Sequence, residues 1–324
     1  MATLRHRGPN FEELREQGVP TVFVGMRSRS DPAGLARAYA LWRLRPDVVF
    51  SSSVDAQVIG QLVARRAGAR HVTAEHGGVG IPRTFHRRLL VRLVAPRVDA
   101  VVAVSASQLP ELRALGFPGE RIHVIANGIP VPAPARSRDD VRAELGAGPD
   151  NVIALLVAAL RPEKRAGRFV EAVLAARRRE PNLVGVVAGS GPELAHVRAL
   201  AAEAPEAVRV LGQRHDVPDL IEAADVVCLA SAFEGLPMTV LEAMALARPL
   251  VATAVGGVPE AAGDGGWLVP PGADEALADA LVAAARDPDA RRAAGKAGRA
   301  RYLGHYSLER MVESYSELLD RLTR

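Results

Sequence analysis

The sequence predicts an α/β protein made of two doubly wound parallel-sheet domains. Three observations carry this reading. Short β-branched runs alternate with Ala-, Leu- and Arg-rich stretches along nearly the whole chain, the pattern of βαβ units. The segment Asn127-Gly128-Ile129-Pro130-Val131-Pro132-Ala133-Pro134 breaks both periods and reads as a linker. The chain has 324 residues and 48% hydrophobic content, enough to bury two cores and too apolar for a disordered chain.

The predicted strands before the linker are Thr21–Gly25, Asp47–Phe50, His71–Ala74, Ala100–Val104 and Ile122–Ile125. Those after it are Val152–Ala158, Leu183–Ala188, Val208–Leu211, Asp225–Ala230, Pro249–Thr253 and Trp267–Val269. Each is a short apolar run, bounded by polar or turn-forming residues and followed by a stretch with helical spacing. Residues 1–130 are therefore expected to form one domain and residues 131–305 a second. Residues 306–324 are expected to carry a closing helix over Leu308 to Leu322. Ligands of such sheets bind outside the carboxyl ends of the strands.

Composition narrows the function classes. Aromatic residues make up only 4%, so the cores must be built from Ala, Val and Leu. The net charge of +4 is mild, and no basic block is interleaved with stacking aromatics, so nucleic acid is not an expected partner. Cys228 is the only cysteine, which excludes an intrachain disulfide and a cysteine metal site. It lies in an apolar run and reads as core. The histidines show no metal-binding spacing, so no metal is expected. No apolar run reaches the roughly 18 residues of a membrane span, and the opening stretch lacks an apolar signal core. The expected location is cytoplasmic.

The most informative stretch is Phe233-Glu234-Gly235-Leu236-Pro237-Met238-Thr239-Val240-Leu241-Glu242-Ala243-Met244-Ala245. It follows an apolar strand and reads as strand, loop, helix. Glu234 falls on the loop and Glu242 about two turns into the helix. The helix N-terminus near Met238 leaves unpaired N–H groups and a positive dipole end, which suit a phosphate. Two carboxylates beside such a site can hold the hydroxyls of a sugar nucleotide. Earlier in the same domain, Arg161-Pro162-Glu163-Lys164 follows a strand and opens a helix, where cations can meet a diphosphate. Gly189-Ser190-Gly191-Pro192-Glu193 also follows a strand; it lacks the third glycine of a dinucleotide fingerprint, which argues against an oxidoreductase.

These motifs resemble the retaining GT-B glycosyltransferases, specifically glycosyltransferase family four, and the resemblance covers nearly the whole chain. It implies two Rossmann-like domains with a cleft between them, and a nucleotide-sugar donor used as co-substrate without a separate cofactor. It places Glu242 at the ribose hydroxyls and Glu234 at the transferred sugar, with Gly235, Leu236 and Pro237 in the donor loop. Lys164 and Arg161 would stabilise the departing diphosphate. Ala159 stands where the family carries an arginine, so Arg161, two residues on, is the candidate in its place. Gly189 and the backbone near Val217 would lie by the nucleotide. His76, at the end of a first-domain strand, would meet a sugar hydroxyl. Asp287-Pro288-Asp289 looks like the metal motif of the other glycosyltransferase fold, but it sits in a polar turn rather than after a strand and is set aside. A UDP-sugar is favoured on family frequency. The acceptor is an unassigned hydroxyl on a glycan, lipid or small molecule. A sugar-phosphate synthase or phosphorylase on the same fold, or a non-catalytic nucleotide-binding homologue, are the alternatives. By the same resemblance, Ala2 to Pro9 corresponds to the family's second strand; its first strand and Gly-rich loop are not found, which would leave sheet edges exposed.

Residues 83–97 contain an amphipathic helix. On a helical wheel Phe85, Leu89, Leu90, Leu93 and Val94 spread over one broad side, and Arg87, Arg88 and Arg92 fall on the other. It is either an ordinary surface helix packed on its sheet or a weak peripheral contact for anionic lipid at the inner membrane face.

Overall fold

The structure, a computed structural model, describes residues 1–6, 9–28, 31–75 and 85–324; the side chains of residues 9, 10, 54 and 85–87 are not among those described. The chain divides into two compact units. The first holds Met1–Ala103, Gln108–Val124 and Tyr315–Arg324, and the second holds Val104–Ser107 and Ile125–Ser314.

In chain order the first unit runs β1 (Ala2–Thr3), α1 (Pro9–Glu16), β2 (Val22–Phe23), α2 (Pro32–Tyr39), β3 (Val48–Ser51), α3 (Val54–Ala67), β4 (Arg70–Glu75), α4 (Phe85–Val94), β5 (Ala100–Ala103), α5 (Leu109–Ala114) and β6 (Ile122–Val124). Strands β3 to β6 form one parallel sheet in chain order, and β1 pairs with β2 in a separate two-stranded parallel sheet. An apolar groove of about 300 Å³, lined by Ala2, Leu4, Val22, Val49, Phe50 and Ile59 among others, separates the two. Met26, Ala38, Ile59 and Val63 form a shared core beneath them, with Leu4 and Val49 packed against it. Among the described residues no strand pairs with β1 on the side away from β2, or with β3 on the side away from β4.

His71 lies in the interior of this unit. Its Nε2 pairs with Ser51 Oγ at 2.9 Å and its Nδ1 with Gln61 Oε1 at 2.8 Å. Burial holds its pKa down at about 4, with Asp99 pulling weakly the other way. The ring is neutral in the folded protein, whereas the unfolded chain takes up a proton near pH 6.5. Stability is thus full above about pH 6.5 and lost as the pH falls toward 4, by about 3 kcal/mol from this residue. Glu75, whose carboxyl burial pushes above its ordinary 4.5, contributes in the opposite sense as the pH falls. A His71→Gln variant is expected to show a shallower fall of unfolding free energy between pH 6.5 and 4 in urea titrations. Equal slopes would remove His71 as the origin.

The second unit runs α6 (Arg138–Glu144), β7 (Val152–Val157), α7 (Ala166–Arg177), β8 (Leu183–Ala188), α8 (Leu194–Ala201), β9 (Val208–Gly212), α9 (Val217–Ala223), β10 (Val226–Leu229), α10 (Met238–Ala245), β11 (Leu250–Thr253), α11 (Val258–Ala262), β12 (Gly266–Val269), α12 (Asp274–Arg286), α13 (Pro288–His305) and α14 (Leu308–Thr323), whose last residues belong to the first unit. The sheet is wholly parallel, in the order β12-β11-β10-β7-β8-β9. Period two along β7 sends Ile153 and Leu155 into one core, with α6, α9, α10, α11 and α13. It sends Val152, Ala154 and Leu156 into another, with α7, α8 and α12. A sheet covered on both faces explains why its strands read as continuous apolar runs rather than alternating ones. Cys228 is fully buried in the second of these cores.

The predicted strands all appear, with ends shifted by a residue or two. The linker segment is pinned inside the second unit: Ile129 N–H donates to Tyr306 O, and Leu308 N–H and Tyr302 Oη donate to Ile129 O.

Candidate functional site

The order of the second sheet creates a switch point. From β7 the chain winds outward through β8 and β9, and from β10 it winds the opposite way through β11 and β12. Strands β7 and β10 are neighbours, in register at Val226↔Ala154 and Val227↔Leu155. The loops leaving their carboxyl ends therefore diverge and leave a crevice between them, where open α/β sheets bind ligands. The β7 loop carries Arg161 and Lys164, and the β10 loop carries Glu234. Sequence reasoning located both motifs but not their meeting.

They meet directly. Lys164 Nζ donates to both oxygens of Glu234, at 2.7 and 2.8 Å. Ser231 Oγ donates to Glu234 Oε1 at 2.6 Å. Thr253 Oγ1 in turn donates to Ser231 O at 2.7 Å, tying the β10 loop to the end of β11. The Glu234 side chain is only 8% exposed, whereas that of Lys164 keeps 25%, so the ammonium is the open side of the pair. Backbone bonds hold the loop further: Ala232 N–H to Glu163 O at 2.8 Å and Gly257 N–H to Gly235 O at 2.6 Å. Gly256 is needed for this approach; its φ is +55°, and a Cβ there would lie 1.9 Å from Glu234 O. Ser231 and Thr253 were not anticipated. The available signal was a hydroxyl three residues before Glu234, too short a pattern to stand out alone.

Pro237 precedes α10 with extended backbone and no side-chain cap; Val240 N–H donates to Pro237 O at 3.1 Å, which leaves the N–H groups of Met238 and Thr239 facing out of the helix start. Leu236 O accepts from Asn127 Nδ2, and Thr239 Oγ1 donates to Val157 O, which seats the helix start on the end of β7. Glu242 lies about one turn into α10, nearer the helix start than the two turns expected from the sequence; it is half-buried, and among the described residues nothing donates to its carboxylate. Burial pushes its pKa above the ordinary carboxylate value. A carboxyl desolvated without a partner is poised to accept hydroxyl donors from a ligand. Arg161 is exposed and its side chain is likewise uncommitted among the described residues.

Beside the switch point, a cavity of about 320 Å³ is lined by Val157, Ala158, Ala159, Gly189, Gln213 and Val217, with others. The predicted donor-side residues Gly189 and Val217 thus share one wall. Gly189 has φ +148°, and a Cβ there would sit 1.8 Å from Ala158 O, so only glycine lets the β7 and β8 loops close together. Ala159, standing in the position of the resemblance's arginine, brings no cation to this cavity. Arg214 borders the cavity but is committed: it donates to Asp216 at 2.7 and 2.5 Å and to Glu144 at 2.8 Å. Those hydrogen bonds hold the Asp216 carboxyl below the usual range and fix the loop that leads into α9.

His76 falls outside the described residues. The residue before it, Glu75, ends β4 in the first unit as a buried carboxyl bonded by Gln57 Nε2, while Gln108 Nε2 donates to Glu75 O at 3.2 Å. Among the described residues no group of three or more His, Cys, Asp or Glu side chains is arranged to hold a metal ion.

Comparison with known proteins places this geometry. Residues 137–301 match the family described as Glycosyl transferases group 1. Residues 1–131 match Glycosyltransferase Family 4. Relatives include the alpha-maltose-1-phosphate synthase of Mycolicibacterium smegmatis, 31% identical over 255 residues, covering 70% of this chain and 64% of that protein. Another is the UDP-Gal:alpha-D-GlcNAc-diphosphoundecaprenol alpha-1,3-galactosyltransferase of Escherichia coli, 26% identical over 264 residues, covering 76% of this chain and 68% of that protein. The match thus spans just under two thirds of the length of the first of these relatives. Among solved structures, Anabaena Alr3699/HepE in complex with UDP superposes with a TM-score of 0.87 at 20% identity, over 99% of this chain and 91% of that one. That likeness establishes the fold, GT-B. The chain belongs to the group 1 glycosyl transferases.

Proposed function

We propose that this protein transfers a sugar from a nucleotide-sugar donor, a UDP-sugar by preference, to a hydroxyl acceptor, with retention at the anomeric carbon. The observation that carries the reading is the Lys164–Glu234 pair at the switch point, flanked by the open N-terminus of α10 and the unpartnered carboxylate of Glu242. The nucleotide would occupy the cavity by Gly189 and Val217, and Glu242 would accept the ribose hydroxyls. The diphosphate would lie against the N–H groups after Pro237, with Lys164 and Arg161 opposing its charge. As the bond to the sugar breaks, negative charge builds on the leaving phosphate, and fixed cations and amides stabilise that charge without reorganising. Glu234, held by Ser231 Oγ, would orient the sugar.

The UDP preference draws support from the galactosyltransferase relative, whose name specifies UDP-Gal, and from the HepE structures that hold UDP and UDP-glucose. One observation favours a second reading of the acceptor. The relative described first is named a sugar-phosphate synthase, so a sugar phosphate is the rival to a glycan or lipid hydroxyl.

Thermal unfolding with UDP, GDP, ADP and dTDP tests the donor half. A nucleotide at about 100 times its dissociation constant is expected to stabilise the protein by about 2.7 kcal/mol. UDP should give the largest shift. Release of UDP from UDP-glucose and UDP-galactose, with and without sugar phosphates, tests the acceptor half. No shift with any of the four nucleotides would overturn the proposal.

A further inference from the structure

We infer that the first unit carries an anion-binding site for a small molecule bearing two phosphate groups. The site is an open pocket of about 590 Å³ lined by Trp42, Arg45, Arg66, Arg70 and Arg324, with Asp47 as the one acid on its lining among the described residues. It lies where Pro46 and Asp47 lead into β3 and where α3 turns into β4, at the amino ends of these strands. Ligands of doubly wound sheets bind at the carboxyl ends. The pocket is therefore on the opposite edge of the first sheet, and it shares no residue with the proposed donor site.

Local structure holds the cations in place. Trp42 packs against the core that contains Met26 and Ile59. The Arg66 guanidinium lies 4.1 Å from the centroid of its ring. Such stacking fixes the guanidinium plane and leaves its edge N–H groups free to donate. Arg45 follows a short 3₁₀ turn, Ala40–Leu44, in left-handed backbone with φ +48°. That conformation is uncommon for a residue with a Cβ. Its N–H donates to Trp42 O at 3.0 Å, so the two residues are set together. Arg70 and Arg324 are paired, with Asp99 at 2.9 Å and Asp320 at 3.8 Å, whereas Arg45 and Arg66 meet no carboxylate among the described residues. Arg70 Nε also donates to Leu322 O at 3.0 Å, which ties the end of α14 to this wall. A guanidinium fork bonds phosphate oxygens in pairs. Two uncommitted forks match two phosphate groups, and the pocket has room for the atoms that join them. Asp47, Asp99 and Asp320 offset much of the positive charge around them. Long polyanions are therefore not drawn in by the field alone, and recognition rests on direct contact with the two forks. The inference is independent of the transferase reading, since it uses no residue assigned to that site.

The test is isothermal titration of the full chain with inorganic pyrophosphate, with citrate as a carboxylate control. Pyrophosphate is expected to bind more tightly than citrate, and its affinity should fall as salt rises from about 0.05 to 0.5 M. Arg66→Gln is expected to weaken binding about tenfold and Arg45→Gln/Arg66→Gln about a hundredfold. Both variants should unfold at the wild-type temperature, because the two side chains are exposed and belong to no ion pair among the described residues. Lys164→Ala/Glu234→Gln, which alters the proposed donor site, should keep the affinity. Tryptophan emission supplies a local readout. The chain has two tryptophans, so pyrophosphate should change the emission of wild type and not that of Trp42→Phe, which keeps a ring beneath Arg66. An arginine double variant that binds pyrophosphate like wild type overturns the inference. So does binding lost only in Lys164→Ala/Glu234→Gln, which would place the anion at the proposed donor site instead. Wild-type protein that ignores pyrophosphate, or binds citrate as tightly, overturns it as well.

Discussion

Lys164→Ala is expected to lower kcat by about 10²–10³-fold, the usual cost of removing one preorganised group that stabilises charge in the transition state. The Lys164 ammonium sits at the switch point, paired with Glu234 and keeping the more exposed side of that pair, while Arg161 on the same loop is exposed. Loss of Lys164 also leaves the Glu234 carboxylate with Ser231 as its remaining side-chain partner, in a place where the Glu234 side chain is 8% exposed. An unpaired charge so desolvated is costly, so the alanine variant should also melt earlier. The two effects separate with a second substitution. Lys164→Ala/Glu234→Gln removes the orphaned charge and should recover melting temperature without recovering kcat. Arg161→Ala, an exposed side chain with no fixed partner, should have a smaller effect on kcat and none on stability. A Lys164→Ala enzyme with kcat within threefold of wild type would eliminate the leaving-group role.

The same pair shows where sequence reasoning reached and where it stopped. The strands of both sheets were legible because β-branched runs such as Val152–Val157 and Leu183–Ala188 are buried on both faces and interrupted by turn residues. Strand β1 had no such run; Ala2 to Pro9 was read as a strand only by family resemblance, and the structure shows a two-residue strand, Ala2–Thr3, paired with β2. Lys164 and Glu234 were each recognisable in their motifs, yet 70 residues separate them, and only the order β10-β7 brings their loops together. The supporting bonds from Ser231 and Thr253 leave no periodic trace at all. Helix α4 failed differently. Its wheel recorded how much apolar surface exists but not which part the sheet takes. Packing against α5 selected Val91 and Val94 over three larger leucines, because position around the helix decides contact and residue size does not.

Glu242→Ala is expected to weaken nucleotide binding about 100-fold. The carboxylate has been desolvated without a partner among the described residues, which leaves hydrogen-bonding capacity for a ligand. Each hydrogen bond to a charged acceptor is worth roughly 1.5–3 kcal/mol, and a ribose offers two hydroxyls. At a UDP concentration of about 100 times the wild-type dissociation constant, stabilisation should fall from about 2.7 kcal/mol to about 0.4 kcal/mol. The pH dependence supplies an independent check on the same residue. Only the ionised carboxylate accepts both hydroxyls, and burial raises the Glu242 pKa, so UDP affinity should decline as the pH falls through a value above the ordinary 4.5. Glu242→Gln should bind more weakly than wild type at pH 7 and lose this acid-side decline. If Glu242→Ala is stabilised by UDP as fully as wild type, the carboxylate does not touch the nucleotide, and its burial on α10 is a feature of packing alone.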